Sequence, residues 1–233
     1  MPRRPRPGTV TAAAHAPAAH APAAQAPGLA AQAPAPAPAS APELQRVART
    51  EGLLPALRLL LEAHGDTPPF GPTGHTLLPE PAAGPDPVRR HPLPGGAVVL
   101  VHDPRAARAG AAVDRTALLR LRLGLVQGLR DACLAHLAGR ASGGSTVLMQ
   151  QLVKGQLAEA LGHQLELAAL LDATAPPDLT GPALRDLHRQ LTDTGRALLR
   201  LLGAHGYLAD GPGATAHVSE LLADVHLPAE EDR

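Results

Sequence analysis

Aromatic residues are nearly absent from this sequence, which has one Phe, one Tyr and no Trp among its 233 residues. Its apolar fraction of 45% is therefore supplied almost entirely by Ala, Leu and Val. Leu and Ala stripes interlock well between packed helices, whereas β-sandwiches and barrels normally use more β-branched and aromatic residues. The missing aromatics thus favour a helical core.

Excess charge and paired cysteines are missing as well. The 21 Lys and Arg residues are balanced by 21 Asp and Glu residues, so the positive surface expected of a nucleic-acid-binding protein is not predicted. The single cysteine, Cys133, excludes a disulfide or a cysteine zinc site within one chain and indicates a reducing cytoplasm. No run of about 18 apolar residues occurs, so we expect no transmembrane helix. The sequence contains no dinucleotide-binding glycine motif, no P-loop and no matched pair of metal-binding helical motifs.

Proline and glycine are plentiful but unevenly spread. Residues 1–42 repeat short Ala-Pro units, which offer little surface to bury and predict a disordered tail. Residues 66–113 form a second Pro/Gly-rich segment, predicted to be a linker. Within it, "AVVLVHD" at 97–103 is the one convincing strand, and it is expected to be isolated. Residues 227–233 are expected to be an acidic tail.

Leucines at helical spacing occupy the remaining segments. Residues 43–65 are predicted to form a helical segment that Pro55 breaks or kinks. Residues 114–226 are predicted to form a four-helix-type bundle, and Ser145 or Thr146 is the candidate N-cap of its second helix. Short connections favour an antiparallel up-down arrangement, so the predicted fold class is all-α. The first expected helix covers about 114–138, and the second runs from its cap at 145 or 146 to just before "APP" at 175–177. The third begins after Thr180 and ends at "GAHGY", and the fourth covers about 214–225.

The order of particular residues in this block is informative. Asp114-Arg115 opens the first helix, Gly124 lies near its middle, and Arg140 precedes Gln151 by eleven residues. Three later segments continue the pattern: "LAEA" at 157–160, "LRLLGAHGY" at 199–207 and "ELLADVH" at 220–226. Together they resemble the C-terminal helical-bundle domain of the acyl-CoA dehydrogenases, flavoenzymes that desaturate acyl thioesters. The N-terminal domain of that family and most of its β-domain have no recognisable counterpart.

The resemblance implies cofactor-binding roles for four residues. Arg140 would bind the pyrophosphate of FAD, because a guanidinium matches phosphate oxygens bidentately. Gln151 would contact the dinucleotide across a dimer interface. Gly203 and Gly206 would let the backbone approach its adenine side. Simpler structural interpretations remain open: a solvated Arg near a helix end, a polar-face Gln and a glycine C-cap.

The resemblance also implies catalytic and substrate-binding positions. The chemistry needs a carboxylate to abstract a proton beside the thioester while the flavin accepts a hydride. Asp114 matches the position used by one branch of the family, and Arg115 would help to bind the acyl-CoA. Asp114 is equally suited to be a helix N-cap. The more common Y-E-G-T loop is absent, and Glu230 and Glu231 are interpreted as solvated tail residues.

The functional hypothesis is an acyl-CoA dehydrogenase-like oxidoreductase that performs FAD-linked oxidation of an acyl thioester. It would act as a partner subunit of a homo- or hetero-oligomer, for example with a full-length acyl-CoA dehydrogenase, or be a degenerate, non-catalytic form. The Phe that packs on the cofactor in the family is Gly143 here. The alternative hypothesis is a non-enzymatic helical interaction or scaffold module. Neither hypothesis involves nucleic acid or a membrane.

Overall fold

Helices make up most of the described structure, which confirms the predicted helical class. The computed structural model describes residues 40–65, 67–81, 87–109, 113–173, 179–208 and 211–227, all within the unit Ala37–Arg233. Nearly all of the two predicted tails lies outside these residues. None of the described helices is both long and apolar enough to cross a membrane.

The first two helices are short and are separated by a glycine. Helix α1, Ala41–Thr50, is capped by Ser40, whose Oγ accepts a hydrogen bond from the Glu43 backbone N–H at 3.3 Å. The predicted tail of 1–42 therefore overlaps the start of this helix. Helix α2, Leu53–Glu62, follows Gly52, where φ is 93°. The break expected at Pro55 lies at Gly52 instead, because proline is accommodated in the first turn of α2.

The segment predicted to be a linker with one isolated strand contains a three-stranded antiparallel sheet. The strands are β1, His75–Pro79, β2, Pro87–Leu93, and β3, Gly96–His102, in the order β1-β3-β2. The strand predicted at 97–103 is β3, but the expectation that it is isolated was wrong. Its neighbour β2 reads "PVRRHPL", and an edge strand tolerates prolines that a central strand would exclude. The short helix α3, Ala106–Ala109, follows the sheet.

Four longer helices form the predicted bundle. They are α4, Arg115–Ala138, α5, Gln151–Ala173, α6, Gly181–Leu202, and α7, Pro212–His226. Ser145 and Thr146 do not cap α5. They form β5, Ser145–Thr146, which pairs with β4, Ala141–Ser142, and a 3₁₀ turn at Val147–Met149 leads into the helix. The prediction failed because a Ser-Gly-Gly-Ser turn can nucleate a hairpin as readily as it can start a helix.

Side-chain contacts show the up-down order of the bundle. Arg130 on α4 donates to Gln164 Oε1 on α5 at 2.6 Å. Arg120, earlier on α4, donates to Asp172 Oδ1, later on α5, at 2.6 Å. The two helices are therefore antiparallel, as predicted.

Helix α4 is the centre of the molecule. Residues 118–126 are all buried, so this part of α4 has no solvent-facing side. Helix α1 crosses α4 at Gly124 and Gly128, where a Cβ atom would collide with the backbone carbonyl oxygens of Gln45 and Arg49. Gly124, which the family resemblance places in mid-helix, is therefore required here by helix packing.

Replacing Gly124 by Ala tests this close crossing. We expect Gly124→Ala to lower the free energy of unfolding by about 1–3 kcal/mol, because overpacking outweighs the better helix propensity of Ala. Gly155→Ala on α5 is the matched control, since a Cβ there meets no atom within 4 Å. It should raise the free energy of unfolding by roughly 0.5–1 kcal/mol. Urea unfolding measures both variants, and equal stabilisation of the two would contradict the packing argument.

Candidate functional site

The residues singled out by the family resemblance lie at two ends of the bundle. Asp114 and Arg115 are at the start of α4. Arg140 follows the end of α4, and Gln151 begins α5. Gly203 and Gly206 lie in the 3₁₀ turn Gly203–Tyr207 that follows α6. Because α4 has 24 residues, the two groups are separated by roughly 36 Å along its axis.

Asp114 is engaged in holding the start of α4. Its Oδ1 accepts hydrogen bonds from the backbone N–H groups of Thr116 at 2.8 Å and Ala117 at 3.2 Å. These are the bonds of an N-cap, the structural role left open by the sequence. Arg115, in the first turn, is exposed. The assignment of Asp114 as a proton-abstracting base and of Arg115 as a substrate-binding residue stays a prediction.

The other end of the bundle brings four predicted residues into one region, which we call the cofactor end: Arg140, Gln151, Gly203 and Gly206. The ring of His136, in the last turn of α4, stacks on the ring of His205 with centroids 4.4 Å apart. This contact joins the end of α4 to the glycine turn after α6. Arg140 is exposed and belongs to none of the ion pairs among the described residues.

The cofactor end carries the positive charge of Arg140 and a helix start. Burial, the neighbouring His205 and the charge of Arg140 all lower the pKa of His136, so this ring is neutral at pH 7. Helix α5 begins at Gln151, and a helix start carries free amide N–H groups and a partial positive charge. A guanidinium and a helix start are each suited to a phosphate group.

The glycines of this end are explained without a cofactor. Gly203 has φ of 57° and caps α6, and a Cβ there would meet no atom within 4 Å. A Cβ on Gly206 would lie 2.9 Å from the Leu199 carbonyl oxygen, so this glycine is needed for the chain's own packing. Gly143 and Gly144, with φ of 55° and 80°, form the two-residue turn between β4 and β5. The cofactor-binding roles of Gly203 and Gly206 are therefore not needed to explain these glycines, and the roles of Arg140 and Gln151 stay predictions.

A buried polar cluster that the sequence did not reveal lies at the middle of the bundle. Arg122 on α4 is 1% exposed. Its Nε donates to Ser219 Oγ at 3.1 Å, and its Nη2 donates to Thr192 Oγ1 at 2.8 Å. Its Nη1 donates to His188, at Nδ1 over 2.8 Å and at the carbonyl oxygen over 3.2 Å. The cluster ties α4, α6 and α7 together, and its only sequence signal is a pair of arginines, Arg120 and Arg122, among the leucines of α4.

Burial sets the protonation of this cluster. Burial lowers the pKa of Arg122 to about 10, and the negative charges of Glu220 and Asp224 offset part of this effect. The guanidinium therefore stays charged at pH 7. Burial and the neighbouring Arg122 lower the pKa of His188 to about 3. His188 is therefore neutral and accepts the hydrogen bond from Arg122 through Nδ1.

Arg122 also borders two clefts. One, of about 300 Å³, lies between α1, α4, α6 and α7 and is mainly apolar. The other, of about 570 Å³, is lined by charged side chains of α6 and α7 that include Arg185 and Asp224. None of the six residues predicted from the family resemblance lines either cleft. Within the described ranges, no group of three or more His, Cys, Asp or Glu side chains is arranged to hold a metal ion.

The pH dependence of stability tests the buried histidines. Burial and the neighbouring His64 lower the pKa of His226 to about 4. Between pH 6.5 and the pKa values of His188 and His226, the unfolded chain binds protons that the folded chain does not, so stability falls as pH falls. From pH 7.5 to 5.5 we expect a loss of about 2–3 kcal/mol, shared between these two residues.

The matched variants are His188→Gln, which keeps an acceptor for Arg122, and His217→Gln on the exposed side of α7. His188→Gln should remove about half of the pH dependence, and His217→Gln should change it less, since His217 acts through the pKa of His91. Urea unfolding at several pH values measures both effects. An unchanged profile in His188→Gln would show that His188 is not held neutral.

Similarity to known proteins is found among solved structures. No known protein family matches the sequence, and no curated protein matches it. A solved structure that it does match is a variant of the Tcur3481–Tcur3483 steroid ACAD, an acyl-CoA dehydrogenase. The two chains are 16% identical and superimpose with a TM-score of 0.42, over 64% of this chain and 44% of that chain. The match thus spans less than half of that chain's length.

Proposed function

We propose that this protein is an acyl-CoA dehydrogenase-like subunit that supplies a phosphate-binding end to an FAD site completed by another chain. The observation that carries the proposal is the position of Arg140, which is exposed and outside every ion pair among the described residues, at the end of the bundle where α5 begins at Gln151. The sequence resemblance assigns both residues, with Gly203 and Gly206, to the dinucleotide. The His136–His205 contact joins the end of α4 to the glycine turn.

The proposal assigns binding, rather than proton abstraction, to this chain. Arg140 is free to form a bidentate pair with a pyrophosphate, and the amide of Gln151 can hydrogen-bond the dinucleotide from the start of α5. FAD itself would supply the hydride-accepting chemistry when bound. Asp114 caps α4 at the opposite end, so the base for the reaction would come from the partner subunit. A reducing cytoplasm is the proposed location, which suits the single buried Cys133.

Flavin binding tests the proposed function. The protein is purified alone and together with any acyl-CoA dehydrogenase encoded beside its gene, and flavin absorbance is measured in each sample. We expect flavin in the mixed sample, with FAD bound more tightly than by the dehydrogenase chain alone. Arg140→Ala should weaken FAD binding by roughly 10- to 100-fold, because a charge-assisted hydrogen bond contributes about 1.5–3 kcal/mol.

Arg58→Ala is the matched control, since Arg58 is an exposed arginine on α2, away from the cofactor end. It should leave FAD binding unchanged, whereas Gln151→Ala should weaken it. Absence of flavin from both samples would contradict the proposed function, as would equal affinity of the Arg140→Ala and wild-type proteins.

A second candidate function, a non-enzymatic interaction module, is favoured by the outer face of α5. Leu161 and Leu165 on this helix are 39% and 60% exposed. Exposed leucines on one helix face mark a surface suited to another protein. This candidate predicts protein association without flavin, so the experiment above separates it from the first.

A further inference from the structure

The smaller of the two clefts beside Arg122 has the size and the lining of a small-molecule site. We call it the apolar cleft, and its volume of about 300 Å³ is at the lower end of the range of ligand pockets. Leucines of α4 and α6 line it together with small residues that leave the space open. These lining residues are Leu125, Leu129, Leu191, Gly128, Gly195 and Ala216. The cleft therefore suits a ligand with a compact apolar body.

One charged residue of the apolar cleft has no counter-ion in contact. Four charged residues line the cleft, and three of them form ion pairs. The pairs are Arg49 with Asp131, Glu51 with Arg46, and Glu220 with Arg196. Arg122 is buried and belongs to none of the ion pairs of the described ranges. Because an unpaired buried charge is costly, an anion bound in the cleft would complete the surroundings of Arg122.

The hydrogen bonds of Arg122 leave donors at the apolar cleft. A guanidinium has five N–H groups. The bonds of Arg122 to Ser219, Thr192 and His188 leave one N–H group of Nη2 without an acceptor among the described residues. Ser219 and Thr192 also line this cleft, and their hydroxyl oxygens accept from Arg122, so their own protons are available to a ligand. A carboxylate, which only accepts, matches this set of donors.

The acidic side chain nearest to this set does not occupy it. Glu220 lines the apolar cleft, but Arg196 donates to its Oε1 at 2.9 Å and to its Oε2 at 2.7 Å. Arg196 therefore neutralises the carboxylate that would otherwise repel an incoming anion.

We propose that the apolar cleft binds a small free monocarboxylate, with its charged end at Arg122, Ser219 and Thr192 and its apolar body against the leucines of α4 and α6. The requirement for a charged end distinguishes this ligand from an acyl thioester. None of the six residues assigned by the family resemblance lines the cleft. The proposal is independent of flavin binding and of the proposed FAD-linked function.

Isothermal titration of the purified protein with two matched compounds tests the proposal. The probes are 4-phenylbutyrate and 4-phenylbutanamide, which share the apolar body and differ in the charge of the end group. We expect the acid to bind about 10-fold more tightly than the amide at pH 7, because hydrogen bonds to a charged group are stronger than those between neutral groups. The acid should also raise the melting temperature, as a ligand of the folded state does.

Three variants locate the site. Gly195→Leu places a side chain in the apolar cleft, since a Cβ on Gly195 makes only an ordinary contact, 3.8 Å from Val126 Cγ2. It should abolish binding of both compounds. Arg122→Met should bind the acid and the amide equally. Arg185→Ala is the control, because Arg185 lines the larger, charged cleft and not the apolar one, and it should bind the acid as the wild type does. Circular dichroism verifies that each variant remains folded.

The wild-type comparison requires no variant, so the proposal can fail even if Arg122→Met does not fold. It would be overturned by the absence of binding of the acid at millimolar concentration, or by equal affinity of the wild type for the acid and the amide. It would also be overturned if Arg185→Ala lost binding while Gly195→Leu kept it, since the anion would then lie in the charged cleft.

Discussion

The burial of α4 on every side is the constraint on which the rest of the fold depends. A helix enclosed between residues 118 and 126 needs neighbours all around, and α1, α5, α6 and α7 provide them. Close approach of α1 requires the glycines at 124 and 128. Enclosure also removes water from Arg122, whose donors must then be satisfied by Ser219, Thr192 and His188. The close helix packing and the buried hydrogen bonds of Arg122 thus both follow from the enclosure of α4.

The length of α4 bears on the proposed function. It separates the predicted catalytic position, Asp114, from the cofactor end by most of the length of the bundle. A dinucleotide bound at Arg140 would therefore react with a substrate positioned by other residues. This separation is the reason to propose a subunit that contributes binding groups, and not a self-sufficient enzyme.

The sequence predicted the helices well and the sheet poorly, for physical reasons. Leucine periodicity over about twenty residues predicts a helix such as α6, Gly181–Leu202, because many leucines recur on the same helix face. Strand β2 has prolines and arginines, and its position is decided by its pairing with β3, which no local pattern reveals. The N-cap at Asp114 was visible in the sequence, whereas the Arg122 cluster depends on residues of three helices. No local pattern places Arg140 and Gly203 at the same end of the bundle, and this expectation came only from the helix order of the family that the sequence resembles.

The turn between β4 and β5 restricts which residue can occupy position 143. Its φ of 55° lies in the left-handed region, which a bulky side chain adopts only with strain. The acyl-CoA dehydrogenase pattern that the sequence resembles has a phenylalanine at this position. An aromatic residue placed here would strain the two-residue turn, so the loop between α4 and α5 would have to take another form to accept one. The hairpin and an aromatic side chain at position 143 are therefore alternatives to each other.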